Sequence, residues 1–305
     1  MSDKILIVDD LATNRIVLKV KLSAPHYEVV QASSATEALA MAASTRPDLI
    51  LASAHLSGMA AADFVIALRK IKDLTTTPII LLQTHSCVHE RHAVLRAGAD
   101  DILTKPVQEP LLLARLRNLL RQHHNNHDLT MQSGAPHVLG FAEARREFQR
   151  PGRIAIVARS KPEALALQGM MTQDSPHQFS AYGTEQAMPI APDQQIPDVY
   201  LLRIGLADAE EGLRLLAELK AAQRTHCCPV IALLDGDTSP LAVTLLDMGA
   251  NDVIIGLADR DELALRMDNQ LCHKRWSKQM PVSYTHLRAH ETRYTISYGV
   301  LCLKR

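Results

Sequence analysis

The 305-residue sequence has no excess of either sign of charge: 33 Lys and Arg stand against 33 Asp and Glu. That balance argues against a nucleic-acid binder held by bulk positive charge. No apolar run approaches the ~18–20 residues needed to span a bilayer, so no membrane partner is expected. Five cysteines are scattered without a Cys-x-x-Cys pair, which excludes a disulfide scaffold and argues against redox work. No secretory leader is expected, because Met1 runs within three residues into a buried-strand pattern. What is abundant is apolar side chain, 47% of the total, which is too much for a disordered chain. The expectation is a soluble, cytoplasmic protein of about two domains.

The character of the chain changes near Pro281. The stretch Pro281-Val-Ser-Tyr-Thr-His-Leu-Arg-Ala-His-Glu-Thr292 has neither a helical nor a strand period. It resembles the in-frame translation of a sequencing adapter, so residues 281–305 are expected to be a non-native tail and are set aside from fold reasoning.

The remainder repeats itself after about 150 residues. Ile5-Leu-Ile-Val8 returns as Ile154-Ala-Ile-Val157, and Pro47-Asp-Leu-Ile-Leu51 as Pro197-Asp-Val-Tyr-Leu201. Pro78-Ile-Ile-Leu-Leu82 returns as Pro229-Val-Ile-Ala-Leu233, and Ala97-Gly-Ala-Asp-Asp-Ile102 as Met248-Gly-Ala-Asn-Asp-Val253. Short apolar runs bounded by Pro, Asp or Gly read as strands buried on both faces. Helix-period stretches lie between them, in the first copy at 12–22, 35–44, 61–71, 88–97 and 110–121. Alternating strands and helices imply right-handed crossovers and a parallel sheet. The fold class is therefore α/β: two tandem flavodoxin-like domains, each a five-stranded parallel sheet in the order 2-1-3-4-5 with helices on both faces. The boundaries fall at 1–122 and 151–278, with 123–150 a linker that ends in a short helix over 141–148.

In such a fold the functional groups sit at the carboxyl ends of the strands. In the first copy those positions hold Asp9 and Asp10, Ser53, Gln83 and Thr84, and Lys105-Pro106. Adjacent carboxylates suit a hard cation such as Mg²⁺, and a lysine across the pocket can neutralise an anion bound to it. Together with Gly58-Met59, Gly98-Ala-Asp-Asp101 and Leu103-Thr-Lys-Pro106, these residues make residues 1–122 resemble a response-regulator receiver domain.

The resemblance implies a phosphoryl-accepting aspartate at the end of the third strand, in a pattern that reads here Pro47-Asp-Leu-Ile-Leu-Ala-Ser53. A serine hydroxyl is un-ionised at neutral pH and does not replace a carboxylate nucleophile. It also removes an anionic metal ligand, so Asp9, Asp10 and the backbone carbonyl of His55 would hold Mg²⁺ weakly, and no resident cofactor is expected. The switch hydroxyl is replaced by Gln83, with Thr84 adjacent. Asp9 and Lys105 are expected to survive as an ion pair. In the second copy, Ala158-Arg159 stand for the carboxylates, Arg203 for the acceptor, Leu234 for the switch and Gly256 for the lysine, so that copy can only be an adaptor.

Two receivers in tandem, the second degenerate, resemble the input half of PleD-type diguanylate cyclases. The likeness continues through Asp261-Glu-Leu-Ala-Leu-Arg266 and Gln270-Leu-Cys-His-Lys-Arg-Trp276. It implies a regulatory fragment cut before a Gly-Gly-Asp/Glu-Glu-Phe domain, a motif absent from this sequence, so the chain as given is not an enzyme. It also implies a homodimer through the face of helix 4, strand 5 and helix 5, at about 87–121. Leu111, Leu112, Leu113, Leu116, Leu119 and Leu120 lie there; core packing is expected for Leu113 and Leu116 and left open for the rest. The alternative is a free-standing adaptor that binds a histidine kinase or another regulator. A nucleotide-binding flavodoxin-type domain is disfavoured, because neither copy has a glycine-rich loop after its first strand.

Weaker candidates remain. His85, His89 and His92 fall on one helical face and suggest a borderline metal such as Zn²⁺, although a solvated or interface face is the commoner outcome. His123, His124 and His127 read the same way. Cys227 and Cys228 look like fillers at a core edge, Cys87 and Cys272 have no evident partner, and 220–224 reads as a solvated helix end.

Overall fold

A computed structural model describes residues 2–23, 27–84, 87–133, 151–173, 175–184, 195–236, 239–256 and 259–278. The first domain builds β1 (Lys4–Val8), α1 (Ala12–Ser23), β2 (Glu28–Ala32), α2 (Ala35–Thr45), β3 (Leu49–Ser53), α3 (Ala61–Arg69), β4 (Ile79–Gln83), α4 (Val88–Ala97), β5 (Asp101–Thr104) and α5 (Glu109–Ser133). The second repeats the series with β6 (Arg153–Ala158), α6 (Lys161–Thr172), β7 (Gln178–Gly183), β8 (Val199–Ile204), α7 (Ala209–Ala221), β9 (Val230–Leu234), α8 (Ser239–Asp247), β10 (Asp252–Ile255) and α9 (Arg260–Lys278). The sheets run β2-β1-β3-β4-β5 and β7-β6-β8-β9-β10, all parallel, so both follow the anticipated 2-1-3-4-5 order.

Strand alternation divides each core in two. In the first domain Leu6 and Val8 of β1 join Ile50, Leu81, Phe64 and Leu95 on the side of α2, α3 and α4. Ile5 and Ile7 point the other way, to Leu18 and Leu22 of α1 and Leu112, Leu116 and Leu120 of α5. Both faces are covered, which is why the strands read as unbroken apolar runs. Local signals place the helices between them. Ser34 caps α2 by accepting from the Glu37 amide while the Glu37 carboxylate accepts from Ser33. Gly98 ends α4 at φ 105°, a conformation for which glycine is the natural choice.

α5 extends well past the anticipated 121, to Ser133, so the first residues of the expected linker are helical. α3 ends two residues earlier than anticipated. The expected helix at 141–148 and the tail at 281–305 lie outside the described residues.

The α4–β5–α5 face that the resemblance assigned to a second copy is covered by the chain's own second domain. α4 packs on α9, and α5 packs on α8. The arrangement is quasi-symmetric: Ala114 of α5 is buried in the second domain's core, and its repeat counterpart Leu265 packs on the first domain's core. Leu112, Leu116 and Leu120 are core, Leu113 and Leu119 pack partly buried beside them, and Leu111 reaches the second domain. Leu113 is therefore less deeply placed than expected.

Candidate functional site

The carboxyl end of the first sheet is closed upon itself. β1 delivers Asp9, 3% exposed, into the mouth of the fold. Its carboxylate accepts from the Leu11 amide at 2.9 Å, from Asn14 Nδ2 at 3.0 and 3.1 Å, and from Lys105 Nζ at 2.9 Å. The expected Asp9–Lys105 pair is therefore formed, and β5 supplies the lysine just before a cis Lys105–Pro106 bond. Arg15 Nη1 holds the turn from below, donating to the carbonyls of Asp9 and Asp10 at 2.6 and 3.2 Å.

Asp10 is clasped from the other side. After β3 the chain makes a tiny antiparallel hairpin, His55–Leu56 against Met59–Ala60, whose turn uses Gly58 at φ 84°. That turn brings Ser57 onto Asp10 Oδ2, with the amide donating at 2.6 Å and the hydroxyl donating as well. Ser57 was not singled out in the sequence, because nothing in its neighbourhood marks a serine as a carboxylate cap. Asp10 Oδ1 is buried without a hydrogen-bond partner.

Ser53 occupies the acceptor position at the end of β3, 7% exposed, and its hydroxyl oxygen accepts from the His55 amide at 3.4 Å. Gln83 is buried at the end of β4 and Thr84 is exposed beyond it. This donor set does not fit a resident Mg²⁺. A hard cation needs several free oxygens, whereas both oxygens of Asp9 are held by Asn14 or Lys105, one oxygen of Asp10 is held by Ser57, and a hydroxyl stands where a third carboxylate belongs.

Among the described residues, the matching end of the second sheet holds no such constellation. Arg203 pairs with Asp235 at 3.3 Å and is partly exposed, Leu234 is core, Arg159 points to solvent, and Gly256 adopts φ 83°. The charge at Arg203 is thus locally paired.

The densest chemistry lies between the domains. Asp101 at the start of β5 and Asp252 at the start of β10 are both buried. Arg115 of α5 reaches both, with Nε 3.1 Å from Asp101 Oδ2 and Nη1 2.5 Å from Asp252 Oδ1. Arg266 of α9 also reaches both, with Nη1 3.1 Å from Asp101 Oδ1 and 2.9 Å from Asp252 Oδ2. Asp101 and Asp252, like Arg115 and Arg266, are repeat counterparts, so the four charges form a quasi-two-fold square. Glu262 joins it by accepting from Arg266 Nε at 2.9 Å and from Arg91 Nη2 at 2.7 Å. Three guanidinium groups therefore meet three carboxylates. Burial pushes the Asp252 carboxyl up, but Arg266 and Arg115 outweigh it and hold the group below the usual range. The carboxylates around Arg266 likewise keep its guanidinium firmly charged in spite of burial.

Further polar contacts follow the same symmetry. Asn118 Nδ2 donates to the Ala250 carbonyl, and its counterpart Asn269 donates to the Ala99 carbonyl at 3.4 Å. Gln122 donates to the Asn251 carbonyl at 3.0 Å, and its counterpart His273 meets Asp100 at 3.2 Å. The square was legible in principle, since Asp and Arg persist at corresponding positions in two copies that have otherwise diverged.

The histidine face separates into different roles. His92 is buried and its Nε2 lies 3.0 Å from both carboxylate oxygens of Asp259, so it is a docking residue where a metal ligand had been considered. His89 is exposed and His85 lies outside the described residues. His124 pairs with Asp3 at 3.1 Å. Among the described residues no three His, Cys, Asp or Glu side chains cluster as a metal site. Cys227 is exposed, and Cys228 is buried with its thiol donating to the Pro197 carbonyl at 3.5 Å. No described helix is long and apolar enough to cross a membrane.

Comparison with known proteins agrees with this geometry. Residues 5–117 match the response regulator receiver domain model. The chain is 31% identical to Response regulator PleD of Caulobacter vibrioides over 291 residues, covering 94% of this chain and 63% of that protein. It is 41% identical to Response regulator MprA of Mycobacterium ulcerans over 163 residues, covering 53% of this chain and 69% of that one. Among solved structures, the chemotaxis protein CheY4 of Vibrio cholerae is 31% identical, with a TM-score of 0.38, over 39% of this chain and 99% of its own. The chain thus spans less than two thirds of PleD while carrying two receiver folds, and it belongs to the response regulators of two-component signalling as a PleD-like member.

Proposed function

We propose that the chain is a phosphorylation-silent regulatory module, the input half of a diguanylate cyclase response regulator. Ser53 carries this reading. An acyl phosphate requires a carboxylate oxygen at the end of β3, whereas the hydroxyl there is un-ionised at neutral pH and its oxygen accepts from the His55 amide. The engagement of Asp9 with Lys105 and of Asp10 Oδ2 with Ser57 supports it, because most of the oxygens that would gather a metal and a phosphoryl group are already engaged, Asp10 Oδ1 excepted. The second domain, without a pocket, serves as the adaptor against which the first is held. A histidine kinase would meet this module as a docking partner and not as a phosphoryl donor.

Intact-mass analysis after incubation with acetyl phosphate and Mg²⁺ tests the silent site: the mass stays unchanged, and beryllofluoride with Mg²⁺ produces no dimerisation in light scattering. Gain of one acid-labile phosphoryl group would overturn the reading. The cyclase assignment rests on the likeness to PleD-type proteins and is tested separately, by sequencing the locus beyond codon 280. An open frame with a Gly-Gly-Asp/Glu-Glu-Phe motif supports it. A natural stop codon favours a free-standing adaptor.

A further inference from the structure

The repeat relates two basic residues, Arg69 buried and Lys220 half-buried, whose surroundings differ in one respect. In the first domain Arg69, at the end of α3, donates to the carbonyls of Gly98 and Thr77 and pairs with the Asp100 carboxylate at 2.8 Å. Its counterpart Lys220, at the end of α7, donates to the Cys228 carbonyl at 3.0 Å and to Asn251 Oδ1 at 2.9 Å. Cys228 and Asn251 are the counterparts of Thr77 and Asp100. The local scaffold is therefore the same, down to the backbone amide that each acidic or amide side chain accepts from: Ile79 N to Asp100 and Val230 N to Asn251. The change is that a carboxylate has become a carboxamide. The cation has been kept and its counter-ion removed, so Lys220 is not the solvated helix end that its sequence context suggested.

The Lys220 ammonium borders a cavity of about 450 Å³ at the seam between the domains. That volume suits a small molecule, within the ~300–1,000 Å³ typical of ligand pockets. Arg121 of α5, on the first domain, lines the same cavity, and its guanidinium donates to the Leu246 carbonyl at 2.9 Å with no carboxylate partner among the described residues. Lys274, His226 and His273 also line it, and no Asp or Glu does. Lys274 and His273 are answered from behind by Asp198 and Asp100, which leaves Lys220 and Arg121 as the two uncompensated charges. Lys220 is half-buried and Arg121 exposed at the cavity rim, and even partial burial of a cation without a counter-ion carries a cost. Burial pulls the Lys220 ammonium down to about 8, and the neighbouring charge of Arg121 adds to the pull.

We propose that this cavity is a binding site for a small phosphate-bearing anion, held jointly by Arg121 of the first domain and Lys220 of the second. A guanidinium and an ammonium converging from two sides match the double charge and several acceptor oxygens of a phosphate better than a single carboxylate. Because one cation comes from each domain, the anion binds the docked arrangement only and stabilises it by mass action.

The test is isothermal titration calorimetry of the full chain with inorganic pyrophosphate at constant ionic strength, repeated on three variants. Wild-type protein binds at one saturable site with a sub-millimolar dissociation constant. Asn251→Asp restores the counter-ion that the first domain possesses while keeping both hydrogen-bond acceptors, so it folds normally and binds at least tenfold more weakly. Lys220→Met loses binding to the same degree. Ala114→Glu, which wedges the domains apart at a distance from the cavity, also loses it. Absence of saturable binding in the wild type, or wild-type affinity in Asn251→Asp, overturns the proposal. Retention of affinity in Ala114→Glu, with scattering showing the domains separated, overturns the bridging role.

Discussion

At the scale of single residues, the module is governed by two positions of opposite kind. Ser53 takes a carboxylate away from a pocket whose other members remain, and those members have closed over the gap. Ser53→Asp returns the missing ligand. It should give measurable Mg²⁺ binding by calorimetry, strengthened further when Ser57→Ala removes the hydroxyl that shares Asp10 Oδ2 with the Ser57 amide, whereas Ser57→Ala alone should not. Arg266 is the reverse case, a charge that cannot be spared. It sits 3% exposed among Asp101, Asp252 and Glu262. Arg266→Met leaves those carboxylates short of a counter-ion and is expected to cost ~3–5 kcal/mol, the usual penalty for breaking a buried ion network. Urea unfolding would show it as a lower midpoint.

At the scale of elements, the sequence resolves the strands and most helices because each carries its own signal. Unbroken apolar runs such as Ile79-Ile-Leu-Leu82 mark strands covered on both faces, and Ser34, Gly98 and Gly249 punctuate the helices. α5 escaped in part because its sequence from Gln122 onward is polar, and periodicity cannot follow a helix without an apolar repeat. The docking face escaped for a related reason. Leu111, Ala114 and Leu265 look like ordinary core positions, and only the fold reveals that they enter the other domain's core. Lys220 reads as solvated because its partners, the Cys228 carbonyl and the Asn251 side chain, come from the turns that lead into β9 and β10 and carry no local signal. At the mouth of the first sheet, Asp9, Asp10, Ser53, Gln83 and Lys105 are found by counting strand ends, whereas Asn14, Arg15 and Ser57, which hold the two aspartates, carry no such signal. Ala114→Glu is expected to place an unpaired charge in the second core, and small-angle scattering should then report a larger radius of gyration with circular dichroism almost unchanged.

At the scale of the whole molecule, the buried network joins two folds into one unit. Calorimetry at neutral pH should show a single transition. Acid should divide it. Burial raises the carboxyls of Asp100, Asp252 and Glu262, but nearby guanidinium groups outweigh that and leave each lower than in the unfolded chain. The folded form thus holds fewer protons than the unfolded one in the acid range, so their contribution is complete above about pH 5 and lost as the pH falls from about 4 toward 2. Melting curves at pH 7, 4 and 3 should record a falling midpoint and, at the lowest pH, two separate steps. A single step with a constant midpoint would contradict the assignment of the network as the tie between the domains.

The mutual burial of the two α4–β5–α5-type faces has one more effect. A contact made between tethered partners is set by an effective local concentration, of order millimolar for short connections, and not by how much protein surrounds it. Dilution has no leverage over it, nor does abundance. Only an influence that acts on the seam itself, such as a proton, a ligand or an altered side chain, can loosen these halves.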